Sequence, residues 1–332
     1  MDRLAETARV LASTRHMDRE TWLELRRRGV GSSDAAAVCG LDPYRSPVAV
    51  WADKTGGPVP VATDQEPLQW GLLLEEVIAR HFGAVTGRKV RRRRAILQHQ
   101  SVPHMLADLD FETWAAGDAA VPLEVKNVSE WRKTEWSEET IPDHVMLQVQ
   151  HQLAVTGRSH GYAAVLFGGN HFLPYTIERD QALIDMLLER EARFWDCVTE
   201  RRIPNWDGSE SSAAVLDAMY PSAVRGARLP LPEQAGDLID AWHRARFDED
   251  VAIEARRRAE HALCAMLGKA ESGTLDGRVV VRWKNVVQRF LDTERIRRER
   301  PHLIQVFQGK RTFRRFDMIA GPERGGRRGA TG

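Results

Sequence analysis

The stretch that most constrains this chain is LADLDFETWAAGDAAVPLEVKNV, residues 106–128. Two runs rich in branched and aromatic residues flank a Gly-bearing turn, which predicts a pair of strands folded back on each other. Side chains alternate along a strand, so Glu124 and Lys126 share one face and Val125 takes the other. Asp110 precedes the turn. Two acids and an amine so placed leave two readings: a solvated hairpin edge, or a site for a hard divalent cation, which takes oxygen ligands from one or two carboxylates.

The elements around this pair are mixed. DRETWLELRRR (18–28) predicts a helix capped by Asp18, GVGSSD a tight turn, AAAVCGL a short helix stopped by Gly40, and SPVAVWADKTG a helix ended by Gly56. A long helix is expected from Leu68 to Thr86, with Leu72, Val77, Ile78 and Phe82 inward. Strands are expected over 88–98, 104–112 and 121–128, then a helix over 143–156 with Val145, Met146, Val149 and Leu153 inward. GYAAVLFGGNHFLPYTIER predicts two strands about a Gly-Gly-Asn turn, and 180–202 a helix. This order makes the chain α/β. Composition shifts at 206–233, a proline-bearing linker with room for one helix. Residues 234–320 follow as an extension: long charged helices interrupted near Phe247–Asp250, then a hairpin over 273–291. The tail, 321–332, is expected to be disordered.

At 332 residues and 42% hydrophobic the chain can bury a core, which excludes global disorder. Its net charge of +1 conceals basic clusters at Arg26–Arg28 and Arg91–Arg94, a pattern suited to a polyanionic partner. The run 91–94 reads equally as a track for phosphates or as a strand edge protected by charge. In FQGKRTFRRF (307–316) basic and aromatic residues interleave, which suits stacking on single-stranded DNA or a strand with a core face. Three dispersed cysteines without a CxxC pair argue against zinc and against a disulfide scaffold, and for a reducing cytoplasm. The polar N-terminus is unlike a signal peptide, and no apolar run approaches the roughly 18 residues of a membrane span.

Five blocks then occur in a recognisable order and spacing: RRRGVGSSDAAAVCGLDPYRSPVAVWADKTG (26–56), WGLLLEEVIARHF (70–82), LADLDF (106–111), LEVK (123–126) and PDHVMLQVQHQLAVTG (142–157). Through them the chain resembles the YqaJ-type viral recombinases, relatives of the phage lambda exonuclease within the PD-(D/E)xK nuclease superfamily. The resemblance covers residues 20–205 and implies a restriction-endonuclease-like core in 1–205: a mixed central sheet flanked by helices, followed by the helical and β-hairpin extension.

By the same resemblance Asp110, Glu124, Glu75 and the backbone carbonyl at Val125 would hold Mg²⁺, with Mn²⁺ as a substitute, and Lys126 would be the catalytic lysine. Gln148 matches a glutamine on the helix behind the site. Ser33, with Arg26 or Arg27, matches the group that holds the 5′-phosphate of a DNA end, and Arg132 a basic residue near the scissile region. Two departures stand out. Leu109-Asp110-Phe111 replaces Pro-Asp-Gly, leaving Asp108 as a second-ranked ligand, and Glu76 stands where proline is usual. The implied activity is 5′→3′ exonuclease action on double-stranded DNA ends, leaving 3′ single-stranded tails for an annealing protein, from a homo-oligomer, a trimeric ring, in a bacterial or phage-infected cell. An endonuclease or nickase on the same core, and a DNA-end-binding module without catalysis, are the alternatives.

Overall fold

The structure, a computed structural model, describes residues 8–58, 66–137, 140–310 and 313–319. The tail at 321–332 lies outside the described residues. The chain divides into two compact units, Met1–Tyr220 and Pro221–Gly332.

The first unit opens with β1 (Ala8–Ser13) and α1 (Arg19–Arg26), the latter capped by Asp18, whose carboxylate accepts from the Thr21 amide at 2.9 Å. β2 (Val30–Gly31) can approach a later strand only because Gly29 lacks a side chain: a Cβ there would lie 2.4 Å from the His104 carbonyl oxygen. A 3₁₀ turn, Ser32–Asp34, leads into α2 (Ala35–Val38). α3 (Pro47–Lys54) starts on a Ser46 cap with proline in its first turn. Then come α4 (Glu66–Thr86), β3 (Lys89–Arg92), β4 (Ala95–His99), β5 (Met105–Asp108), β6 (Phe111–Trp114) and β7 (Val121–Val128). α5 (Asp143–Thr156) stops at Gly157, whose φ of 65° a side chain would disfavour. β8 (His160–Phe167), β9 (His171–Glu178), α6 (Gln181–Thr199) and α7 (Glu210–Met219) complete the unit.

Among the described residues, one sheet runs β3-β6-β7-β8-β9, with only β7 and β8 parallel, and another runs β1-β4-β5-β2. α4 covers one face of the larger sheet, laying Ile78, Ala79 and Phe82 on Phe111, Leu123, Val125 and Ala164. α5 covers the other, laying Val145, Val149 and Leu153 on Ala163, Val165 and Phe167. This is the α/β core with helices on both faces of a mixed sheet.

Several expectations are corrected. The strands expected over 88–98 and 104–112 are each broken, at Arg93–Arg94 and at Leu109–Asp110, and the halves belong to different sheets. Hydrophobic alternation reports extended chain but not which sheet receives it. β1 was not anticipated. Leu72 and Val77 of α4 are exposed, at 66% and 58%, because the helix meets the sheet along the stripe of Ile78 and Phe82. Within 206–233, α7 is packed rather than adrift: Val215 is fully buried among side chains of α3 and α6.

In the second unit α8 (Ala235–Leu267) is continuous, not interrupted near Phe247–Asp250. Arg246 spans that region with ion pairs to Glu249 (2.7 Å) and Asp250 (3.3 Å), the i+3 and i+4 contacts that favour helix. The hairpin β10 (Ser272–Leu275) and β11 (Arg278–Arg282) follows, shorter than expected, then α9 (Thr293–Glu299) and α10 (Pro301–Phe307). No described helix is long and apolar enough to cross a membrane.

Candidate active site

The break at Leu109–Asp110 makes the site. β6 pairs with β7 only as far as the Phe111–Leu123 partnership, and the chain before Phe111 swings into the smaller sheet. That divergence leaves the β6 side of β7 without a strand partner at Val125. The carboxylate of Asp110 takes the place: its Oδ2 accepts from the Val125 amide at 3.0 Å. A strand residue's amide and carbonyl face the same side, so the Val125 carbonyl faces the gap that Asp110 occupies.

Alternation on β7 does the rest. Leu123 and Val125 pack under α4, which turns Glu124 and Lys126 toward α5. There Gln148 and Gln152, one helical turn apart, meet Glu124. Lys126 Nζ donates to Glu124 Oε1 (2.7 Å) and to Gln148 Oε1 (2.8 Å); Gln148 Nε2 donates to Glu124 Oε1 and Gln152 Nε2 to Glu124 Oε2, both at 2.7 Å. Glu124 is buried, and both of its oxygens are held.

Burial, and then the negative charge of Glu124, push the Asp110 carboxyl well above the usual carboxylate range, although Lys126 opposes them. Burial works against the Lys126 ammonium, yet Glu124 and Asp110 outweigh it and its pKa rises. Two acids that resist sharing negative charge are a standard cation-binding arrangement. Among the described residues no three His, Cys, Asp or Glu side chains are drawn into a ready metal cage. Mg²⁺ needs less, since it keeps waters and substrate oxygens beside one or two carboxylates. Asp110, Glu124 and the Val125 carbonyl fit that requirement.

A cleft of about 490 Å³ opens over the site, lined by Glu75, Asp108, Asp110 and Gln148, by Arg26 and Ser33 of the Gly-Ser-Ser-Asp turn, and by Arg92, Arg93 and Arg94. Glu75 sits on α4 and pairs with Arg92 at 3.0 Å, and Glu76 lies 3.7 Å from the same guanidinium. Arg92 also stacks over the Phe111 ring. Asp108 belongs to β5 and not to the strand face of Asp110; its Oδ2 accepts from the Trp22 indole at 2.7 Å, and burial raises its pKa. Arg26 donates to the Ser33 hydroxyl at 2.7 Å, while Arg27 points elsewhere, 3.6 Å from Asp53. Of the two arginines the sequence could not separate, Arg26 is therefore the one in the cleft. Arg132 is outside the cleft lining, paired with Glu135 and stacked over Tyr44.

Gln152, which holds the second oxygen of Glu124, is a site residue that sequence reasoning does not single out. The spacing Gln148–Gln152 was the available signal. Also missed was the buried pair behind the site, in which His151 Nδ1 meets Glu191 Oε1 at 2.7 Å and His151 Nε2 meets the Leu106 carbonyl at 2.8 Å.

Comparison with known proteins agrees with the blocks named above. Residues 21–159 match the YqaJ-like viral recombinase domain. An uncharacterized protein YqaJ of Bacillus subtilis (strain 168) is 34% identical over 95% of this chain and 98% of its own length. Among solved structures, an alkaline exonuclease from Laribacter hongkongensis is 20% identical, with a TM-score of 0.46 over 55% of this chain and 94% of that one. A phage related exonuclease from Haemophilus somnus 129PT is 12% identical, with a TM-score of 0.39 over 52% of this chain and 96% of that one.

Proposed function

The chain belongs to the YqaJ-like viral recombinase family, and from that premise we propose that it is a Mg²⁺-dependent 5′→3′ exonuclease acting on double-stranded DNA ends. The observation that carries this reading is the state of Asp110: seated on the Val125 amide, repelled by Glu124, and open to a cleft that also holds basic side chains. A divalent cation held by Asp110, Glu124 and the Val125 carbonyl, with Glu75 nearby, would relieve that repulsion; Mn²⁺ has the same preference for oxygen. When bound, such an ion supplies Lewis-acid polarisation of the phosphate and a more acidic water.

The chain's own groups do the remaining work. Lys126, kept protonated by its acidic neighbours, sets positive charge where negative charge builds on phosphorus and orients the attacking water. Gln148 aims that ammonium, and Gln152 fixes the far oxygen of Glu124. Arg26 and Ser33 anchor the terminal phosphate, and Arg94 follows the backbone without reading sequence. An anchor for the 5′ end at one side of the cleft sets direction. The product, a 3′ single-stranded tail, is the substrate of a single-strand annealing protein, and a ring of subunits, a trimer, would keep the enzyme on its track.

The test is digestion of linear and circular duplex DNA with Mg²⁺ or EDTA. Release of acid-soluble nucleotides from linear DNA only, abolished by EDTA, is the expected result. Cutting of the circle indicates an endonuclease, and binding of ends without release indicates a module that has lost catalysis.

A further inference from the structure

Beneath the Gly-Ser-Ser-Asp turn lies a cluster of charges that the reaction does not use. Lys54, the last residue of α3, has a side chain only 1% exposed. Its Nζ makes two bonds, to the Asp34 carboxylate at 2.6 Å and to the backbone carbonyl of Arg26 at 3.0 Å. Asp34, fully buried, also accepts from the Gly31 amide at 3.1 Å and pairs with Arg45, whose other nitrogen reaches Asp53 at 3.1 Å. Of the turn residues Gly31 to Asp34 only Ser33 is exposed. One ammonium therefore ties the end of α1, which carries Arg26, to the turn that carries Ser33.

We propose that Lys54 is a positioning residue for the end-binding pair, holding Arg26 and Ser33 at the separation that receives a terminal phosphate. This rests on the reading of the cleft as a site for DNA ends. Four contacts support it. The bond between Arg26 and Ser33 needs the end of α1 and the turn in register, Lys54 contacts the Arg26 carbonyl and the Asp34 carboxylate directly, and the Asp34 capping bond to Gly31 closes the turn on itself.

The experiment compares duplexes with 5′-phosphate and 5′-hydroxyl ends, by binding in EDTA and by initial rates in Mg²⁺. For the wild-type protein the phosphate should strengthen binding and lower KM by about tenfold, the worth of one charge-assisted hydrogen bond. Lys54→Met should abolish that difference, raising KM on phosphorylated ends while leaving kcat on hydroxyl ends unchanged. Because a lone buried carboxylate can unfold the turn, Lys54→Met combined with Asp34→Asn is the second variant, with the same expectation. Val48→Ala, a core truncation in α3, loosens the same helix without touching the cluster and should keep the preference. Persistence of the preference in both Lys54 variants overturns the inference, as does its absence from wild type. If wild type releases no nucleotides but its binding preference vanishes in Lys54→Met, the nuclease reading fails and the inference stands.

Discussion

Asp34 and Asp110 are acids of the same unit with opposite electrostatics. Burial disfavours the charge of both. Around Asp34 that penalty is overcome by Lys54, Arg45 and Arg26, and the carboxyl is held well below the usual range. Around Asp110 burial is reinforced by Glu124, and the carboxyl is pushed well above it. A carboxylate surrounded by fixed cations is complete in the folded chain and serves the fold. A carboxylate facing another carboxylate is left short of positive charge, which is the condition of a group that awaits an ion.

Substitutions separate the two. The largest effect is expected at Lys126, where Lys126→Ala should lower the rate on linear duplex by about 10²–10³ with the fold intact, as loss of a charge-stabilising donor does elsewhere. A variant as fast as wild type would remove that lysine from the mechanism. Next, Asp34→Ala strands the buried Lys54 ammonium and takes one of two carboxylate partners from the half-buried Arg45, and should cost about 3–5 kcal/mol of stability by denaturant titration. Asp110→Asn should do the reverse: its amide oxygen can still accept from Val125, and removing the repulsion should stabilise the fold at neutral pH without metal, while activity is lost. Thermal unfolding in EDTA measures it, and a destabilised Asp110→Asn would contradict the proposed repulsion.

The pH dependence of these differences should have opposite signs. The Asp34 pKa is lowered on folding, so its contribution is present above the unfolded value of about 4 and fades as pH falls toward the folded value. The Asp34→Ala deficit should shrink in acid. The Asp110 pKa is raised on folding, so its penalty is absent below about pH 4 and grows as pH rises toward the folded value. The Asp110→Asn gain should therefore appear only on the alkaline side of that point. The smallest effect is expected from metal alone: millimolar Mg²⁺ should raise the wild-type Tm by a few degrees and leave that of Asp110→Asn unchanged, since an ion stabilises only the fold that binds it.

Much of the site was legible along the chain because its parts are local. Glu124 and Lys126 share a face through strand alternation, and Asp110 lies one turn upstream. The cap at Asp18, the stops at Gly40 and Gly56 and the span of α5 follow from backbone chemistry that acts within a few residues. Gln152 was not legible as a partner of Glu124, because polarity on a helix ordinarily signals solvent and only the facing strand reverses that. The choice of Arg26 over Arg27 was hidden for a related reason: neighbours on a helix point about 100° apart, and which one meets Ser33 depends on how α1 lies against the turn.

By itself the sequence determined the strand pair, the helix ends, the family and the identity of the acids. The tertiary structure alone decided that the two strands carrying residues 88–98 and 104–112 would each change sheets midway. That crossing strips β7 of a partner beside Val125 and puts Asp110 there instead. Alternation and capping are short-range forces and can be read in a line, whereas the partner of an unpaired amide is set by which distant segment packs against it.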